Sequence, residues 1–209
     1  MKKQFILAGM LAMSLAVSAC GAKENNNNNN NNNSQVETPG DNNTKPDENG
    51  TEGEGAVDNA DIQGSLDSIR DAVAAAYGEN YIPNMPFDET AVKETFGVDP
   101  SWYDGIVAEG PMISTHVDTF IAIHPTEGNL ENVKKALTDY KDYLVNESMQ
   151  YPMNMEKVKA AEITVIGDNV YFVMLGLIED TIEDEAKRLE AFTEQNKIAI
   201  DAINEHVSK

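Results

Sequence analysis

A short segment of the chain carries histidine and aspartate side chains whose spacing suits metal binding. His116 and Asp118 lie two residues apart, and His124 follows in the same run, THVDTFIAIH. Side chains separated by an even number of residues point to the same face of a strand, so these three are candidate ligands for half of a metal site. The segment lacks an HxH or HExxH pattern and a cysteine partner. We therefore expect polar residues at a strand edge and no metal cofactor.

Three aromatic residues, Trp102, Tyr103 and Tyr151, have side chains that can stack on a ligand in a binding groove. Aromatic rings also anchor hydrophobic cores, and the sequence leaves both roles open. We treat these residues as candidate ligand contacts.

The residue types that nucleophilic catalysis needs do not occur in a recognisable arrangement. The chain has one cysteine, three histidines and no GxSxG motif. An activated serine or cysteine needs a base within hydrogen-bonding reach. We therefore predict that this protein is not an enzyme.

The amino terminus has the organisation of an export signal. Lys2 and Lys3 form a short positive segment, and residues 5–16 are mostly apolar. This apolar run has the length of a signal-peptide core and is too short to span a bilayer as a helix. We expect it to direct export rather than to cross the membrane permanently.

The only cysteine follows three small or β-branched residues: Val17, Ser18 and Ala19 precede Cys20. This pattern resembles the lipobox of bacterial lipoproteins, in which the cysteine is lipidated and the preceding peptide is removed. The resemblance implies a signal peptide at residues 1–19 and a diacylglyceryl cysteine that attaches the protein to the extracytoplasmic face of the cell membrane. The alternatives are an ordinary secretory signal with a free thiol, or a cytosolic helix with a buried cysteine. A lone exported thiol would have no disulfide partner.

Residues 20–61 have the composition of a flexible tether. Nine consecutive asparagines occupy residues 25–33, and the segment that follows is rich in Pro, Gly, Thr and acidic residues. Such a segment has too few large apolar side chains to form a core, so we predict disorder. A flexible coil of this length spans roughly 35 Å.

The remaining residues, 62–209, are predicted to form one acidic domain. They contain 27 Asp and Glu against 11 Lys and Arg, and the whole chain has a formal net charge of -21. Because this charge repels phosphates, we expect no nucleic-acid partner.

Periodicity and turn residues predict the elements of this domain. Helical spacing and capping residues indicate helices at 65–77, 88–96, 130–144 and 181–207. Runs rich in β-branched and aromatic residues indicate strands at 106–110, 115–124, 161–166 and 170–175. The order α-α-β-β-α-β-β-α predicts an α+β fold of two layers, with a mostly antiparallel four-stranded sheet and a long C-terminal helix. The run YFVMLGL is apolar on both faces, which favours a central position in the sheet.

Several of these segments together resemble a known family. The lipobox, the helix IRDAVAAAYG, the stretch ETFGVDPSWYDGIVAEGPMISTHVDTFIAIH and the hairpin ITVIGDNVYFVML resemble bacterial lipoproteins grouped as domain of unknown function 4358. The resemblance extends from about Leu66 to Leu175. It implies a Gram-positive source and the outer face of a cytoplasmic membrane, and it supplies no catalytic residues. The helix after Leu175 is longer than the usual pattern of the family.

These observations predict a membrane-anchored extracytoplasmic lipoprotein. Its domain is expected to be a non-enzymatic binding or interaction module for an unknown protein or small molecule. The alternative is a lipoprotein that captures a small ligand or a metal for a transporter. That function would require a concave site with converging polar groups.

Overall fold

Residues 58–209, the part of the chain that the computed structural model describes, form five α-helices and five strands. The helices are α1 (Asn59–Tyr77), α2 (Glu89–Phe96), α3 (Leu130–Asn146), α4 (Met155–Ala160) and α5 (Glu185–Val207). The strands are β1 (Met85–Pro86), β2 (Tyr103–Gly110), β3 (Thr119–Pro125), β4 (Glu162–Ile166) and β5 (Asn169–Met174). The predicted signal peptide, lipobox and Cys20, and most of the predicted tether, lie outside the described residues.

The five strands form one antiparallel sheet in the order β1-β2-β3-β5-β4. The α+β class is therefore confirmed, and so is the long C-terminal helix. The predicted number of four strands is wrong, because β1 pairs two residues, Met85 and Pro86, with the end of β2. A strand this short has no alternation of apolar and polar residues that a sequence pattern could reveal.

Helices cover both faces of the sheet, so the predicted two-layer arrangement is wrong. Alternate residues of β5 enter two separate hydrophobic cores: Val170, Phe172 and Met174 on one side, and Tyr171 and Val173 on the other. All five of these side chains are buried. A strand that is apolar on both faces needs a covering layer on each.

One core lies under α2 and α3, and the other under α1 and α5. Leu137 of α3 joins the first core, while Ile69 of α1 and Ile203 of α5 join the second. Asn196 of α5 links the layers near one end of the sheet. Its side-chain amide donates to the carbonyl of Ala160 at 2.8 Å, and its oxygen accepts from the amide of Leu175 at 2.9 Å.

Several element boundaries differ from the sequence prediction. The first helix begins at Asn59 with Asp58 as its N-cap, rather than at residue 65 as predicted. The last helix begins at Glu185, where the Asp184 carboxylate accepts from the Lys187 amide. β3 begins at Thr119, so the preceding segment, 111–118, is a loop. These shifts reflect capping and loop contacts that apolar periodicity does not report.

Candidate functional site

A concave surface lined by four aromatic side chains lies between α2 and α3. The aromatic residues are Phe96, Trp102, Tyr140 and Tyr143, and the surface encloses about 450 Å³. Small-molecule pockets in proteins commonly have volumes of about 300–1,000 Å³. We call this surface the aromatic cleft.

The last turn of α2 forms one wall of the aromatic cleft. α2 begins at Glu89 because the Asp88 carboxylate accepts from the backbone amide of Ala91 at 2.8 Å. It ends at Gly97, whose left-handed conformation (φ 70°) lets its amide donate to the carbonyl of Lys93. These two caps fix the length of the helix and therefore the place where Phe96 enters the cleft.

A capped turn directly after α2 positions Trp102. The Asp99 carboxylate accepts from the backbone amide and the hydroxyl of Ser101, at 3.0 and 2.8 Å, and pairs with Lys93 at 3.0 Å. These hydrogen bonds, the one from the Ser101 amide foremost, lower the pKa of Asp99 to about 2. The amide of Trp102 in turn donates to the Asp99 carbonyl at 2.9 Å.

α3 forms the opposite wall through a row of residues three or four positions apart. The row contains Asn132, Ala136, Asp139 and Tyr143. Residues at this spacing lie on one side of a helix. The neighbouring row, which includes Val133, Leu137 and Leu144, is buried in the core. One row of α3 residues therefore packs into the core, and the adjacent row lines the cleft.

Tyr140 connects the cleft with the core beneath it. Its ring meets Phe96 edge to face, with 4.8 Å between the ring centroids, and lies 5.6 Å from Phe172 at a tilt. Burial raises the pKa of Tyr140 to about 12. The ring is therefore fixed from below by aromatic contacts, and its hydroxyl stays protonated at neutral pH.

The charged side chains of the aromatic cleft are mainly acidic. Glu94 lies on the α2 wall, and Asp139 and Lys135 lie on the α3 wall. Lys135 pairs with Asp139 at 2.5 Å, and both side chains are exposed. Within residues 58–209, Glu94 has no hydrogen-bonded or ion-paired side-chain partner. The cleft therefore carries one uncompensated negative charge.

The three aromatic residues singled out from the sequence lie in different surroundings. Trp102 lines the aromatic cleft. Tyr103 is half-buried against the core next to α2 and α3, and burial is the main cause that raises its pKa. Tyr151 is 54% exposed and does not line the cleft. The structure does not bring the three residues together into one groove.

Of the three candidate metal ligands, only His116 and Asp118 lie near each other. His116 and Asp118 lie in the loop before β3, whereas His124 lies near the other end of that strand. His124 bonds to the Asn169 side chain at 2.9 Å. The strand on which all three were expected begins only at Thr119, so their shared parity does not place them on one face. Within residues 58–209, no three His, Cys, Asp or Glu residues are grouped so that they could hold a metal ion.

Asp118 instead forms a buried ion pair with Lys157 of α4. The two side chains are 1% and 5% exposed, and Lys157 Nζ lies 2.5 Å from Asp118 Oδ1. Burial lowers the pKa of Lys157, and the Asp118 carboxylate opposes that shift. Asp118 Oδ2 is buried without a hydrogen-bond donor among the described residues, and His116 Nδ1 lies 3.9 Å from it. The pair ties the loop before β3 to α4, and it borders a second cavity of about 440 Å³.

Sequence reasoning missed most of the aromatic cleft. The sequence did not single out Glu94, Asn132, Tyr140 or Tyr143 as candidate ligand contacts. The spacing of Asn132, Asp139 and Tyr143 along one side of α3 was a usable signal. The other wall could not be inferred, because no sequence pattern states which helix packs beside α3.

The fold and the cleft define a class: an α+β domain with an antiparallel sheet between two helical layers and an open aromatic pocket on one of them. Residues 76–175 match the family model described as Domain of unknown function (DUF4358). This match supports the family assignment that the sequence predicted. It begins near the end of α1 and ends just after β5, so α5 lies beyond it. Comparisons with curated proteins and with solved structures gave no match.

The described helices also bear on membrane spanning. None of the helices within residues 58–209 combines the length and the apolarity that crossing a bilayer requires.

Proposed function

We propose that this protein is an extracytoplasmic lipoprotein whose domain is a non-enzymatic binding module, with the aromatic cleft as its ligand site. The observation that carries the proposal is the cleft itself, where Trp102 and Tyr143 line an open space of about 450 Å³. Tyr143 is 51% exposed. Large aromatic side chains left open to solvent in a concave surface are typical of ligand sites.

Attachment to the membrane is the second part of the proposal. The order of positive residues, apolar run, small residues and Cys20 supports cleavage before Cys20 and lipidation of its thiol. Two or more acyl chains give stable attachment, whereas one chain binds only marginally. The domain would then face the medium from the outer side of the cell membrane of a Gram-positive bacterium.

A binding role is favoured over catalysis by the partners of the titratable groups. Asp118 and Lys157 are paired with each other in the interior. His124 bonds to Asn169, and His206 lies 3.2 Å from the Ser68 hydroxyl. The contact between His206 and Ser68 joins a base to a hydroxyl, but within residues 58–209 no carboxylate pairs with the His206 ring to orient it as in a catalytic triad.

The volume of the cleft favours a small molecule over a large protein partner. The lipoprotein would then capture its ligand at the membrane surface, as a component that serves a transporter would do. A ligand-capturing lipoprotein and a protein-interaction module would both use the aromatic cleft, and they would differ only in what binds there.

Thermal unfolding of the full-length protein with a panel of small molecules tests the proposal. The panel contains sugars, amino acids, cell-wall fragments, organic cations and divalent metals. A compound that binds only the folded state raises the melting temperature, by an amount that grows with the logarithm of its concentration divided by its Kd. We expect at least one compound to do so, and we expect the shift to be lost in Tyr143→Ala and kept in Tyr151→Ala.

Two results would contradict this function. If no compound raises the melting temperature while a protein partner is captured at a surface that Tyr143→Ala leaves intact, the cleft is not the binding site. A shift that both tyrosine variants retain would place the ligand elsewhere on the domain.

A further inference from the structure

We propose that the aromatic cleft selects organic cations, and specifically quaternary ammonium compounds. This inference rests on the proposed function, since it names the ligand class of the same site. Three observations carry it: the aromatic lining, the sign of the charge in the cleft and the kind of polar group that the cleft offers.

The aromatic lining supplies electron-rich surface. Trp102, Tyr140 and Tyr143 line the same space, and the face of each such ring carries negative electrostatic potential. A cation over an aromatic face is stabilised by this potential, most strongly over tryptophan. Cages of aromatic residues are a recurrent way to bind methylated ammonium groups.

The charge in the cleft has the sign that a cation needs. Glu94 and Asp139 stand on opposite walls, and Lys135 compensates only Asp139. The surrounding domain is also acidic, with 27 acidic against 11 basic residues in 62–209. A field of this sign concentrates cations near the surface and repels carboxylates and phosphates.

The polar groups of the cleft favour a methylated cation over a primary ammonium. A primary ammonium is strongly hydrated and has three N–H donors that need acceptors. Thr95, Asn132 and two carboxylates supply acceptors in the cleft, but most of its exposed lining is apolar. A quaternary ammonium has no N–H group, so it leaves no donor unsatisfied when it contacts the rings.

The single tryptophan makes the test direct. Trp102 is the only tryptophan in the chain, so intrinsic tryptophan fluorescence reports on the cleft alone. The full-length protein is titrated with choline and, separately, with 3,3-dimethyl-1-butanol. The second compound has the shape of choline with carbon in place of the charged nitrogen. We expect a saturable change with choline and at least about tenfold weaker binding of the neutral compound.

Two pairs of variants separate the contributions of ring and charge. Tyr143→Ala should weaken choline binding by about tenfold, whereas Tyr151→Ala, at a similarly exposed tyrosine outside the cleft, should leave it unchanged. Glu94→Gln should weaken binding of choline but not of the neutral compound. Glu190→Gln, an exposed acid on α5, is the matched control and should have no effect.

The outcomes distinguish this inference from the function on which it rests. Equal binding of the two compounds, or no fluorescence change with choline, overturns the selection of organic cations. If a neutral sugar such as N-acetylglucosamine then changes the Trp102 signal and Tyr143→Ala abolishes that change, the binding function stands and only the ligand class is wrong. If no compound changes the signal, both proposals fail.

Discussion

At the residue scale, the charged side chains that are buried should affect the stability of the domain most. Asp118 and Lys157 lie 39 residues apart in the sequence and form an ion pair inside the domain. Removing one partner of a buried pair leaves an uncompensated charge, whereas removing both replaces the pair with neutral groups. The residues of such a pair are therefore best tested together.

Asp118→Asn is expected to lower the free energy of unfolding by about 3 kcal/mol, because it leaves the Lys157 ammonium buried without a counter-charge. The double variant Asp118→Asn/Lys157→Met should recover most of that loss. Urea denaturation of the unmodified protein and these two variants measures both effects. If Asp118→Asn lowers the free energy of unfolding by less than about 0.5 kcal/mol, the ion pair is exposed to water and not buried.

Burial of tyrosine hydroxyls predicts a loss of stability at alkaline pH. The pKa of Tyr140 is raised from 10.0 to about 12, and the pKa values of Tyr77 and Tyr81 are also raised by burial. Above pH 10 the unfolded chain loses these protons while the folded domain keeps them. The folded state is therefore fully favoured below pH 10 and loses stability as the pH rises toward 12.

Tyr140→Phe is the variant that isolates one of these groups. Phenylalanine cannot ionise, so the free energy of unfolding of this variant should fall less steeply between pH 10 and 12, by roughly 2 kcal/mol over that range. Urea unfolding at intervals of pH measures the slope. Identical slopes for the two proteins would contradict the assigned burial of the Tyr140 hydroxyl.

At the element scale, α2 holds one wall of the aromatic cleft and depends on its caps. Asp88→Ala removes the carboxylate that accepts from the Ala91 amide, so it should lower the free energy of unfolding by about 1 kcal/mol. It should also weaken ligand binding in the cleft, because the last turn of α2 loses definition. Glu190→Ala, at an exposed acid on α5 away from the cleft, is the control and should change neither quantity. Chemical denaturation and Trp102 fluorescence report the two effects.

The sequence predicted the long elements well and the short ones poorly. β5 was identified from its continuous run of apolar residues around Phe172. α3 was identified from apolar residues three or four positions apart, such as Val133 and Leu137. β1 has only two residues, and α4 carries the buried charged residues Glu156 and Lys157. Charged residues in a sequence indicate solvent exposure, so a short helix that buries them has no recognisable pattern.

The site was less predictable than the fold for a related reason. Trp102 was identified from its residue type alone, which says nothing about its neighbours. The partners that surround it come from α3, some 30 or more residues later in the chain, and only the packing of α3 beside α2 brings them close. The same limit applies to His116 and Asp118. Both were expected on a strand, but β3 begins at Thr119 and they lie in the loop before it.

At the scale of the whole molecule, two apolar cores on opposite faces of one sheet support a domain that carries a large excess of acidic residues on its surface. Such a charge keeps the domain soluble and away from anionic surfaces. In the proposed function, attachment at the amino terminus keeps this domain at the membrane that its charge would otherwise avoid.

Replacing Cys20 tests this attachment in cells. Cys20→Ser removes the only thiol that can be lipidated, so we expect the protein to move from the membrane fraction to the medium or to accumulate with its leader uncleaved. Fractionation at high salt, followed by immunoblotting, measures the distribution. Cys20→Ser protein that is processed and still held in the membrane fraction would show that another feature attaches it.

Mass spectrometry of the protein purified from its native membrane tests the central claim most directly. The proposed function predicts a mature chain that begins at Cys20, with a diacylglyceryl group on its sulfur and residues 1–19 absent. An amino-terminal peptide with an unmodified Cys20, or one that still contains the leader in the bulk of the protein, would contradict it.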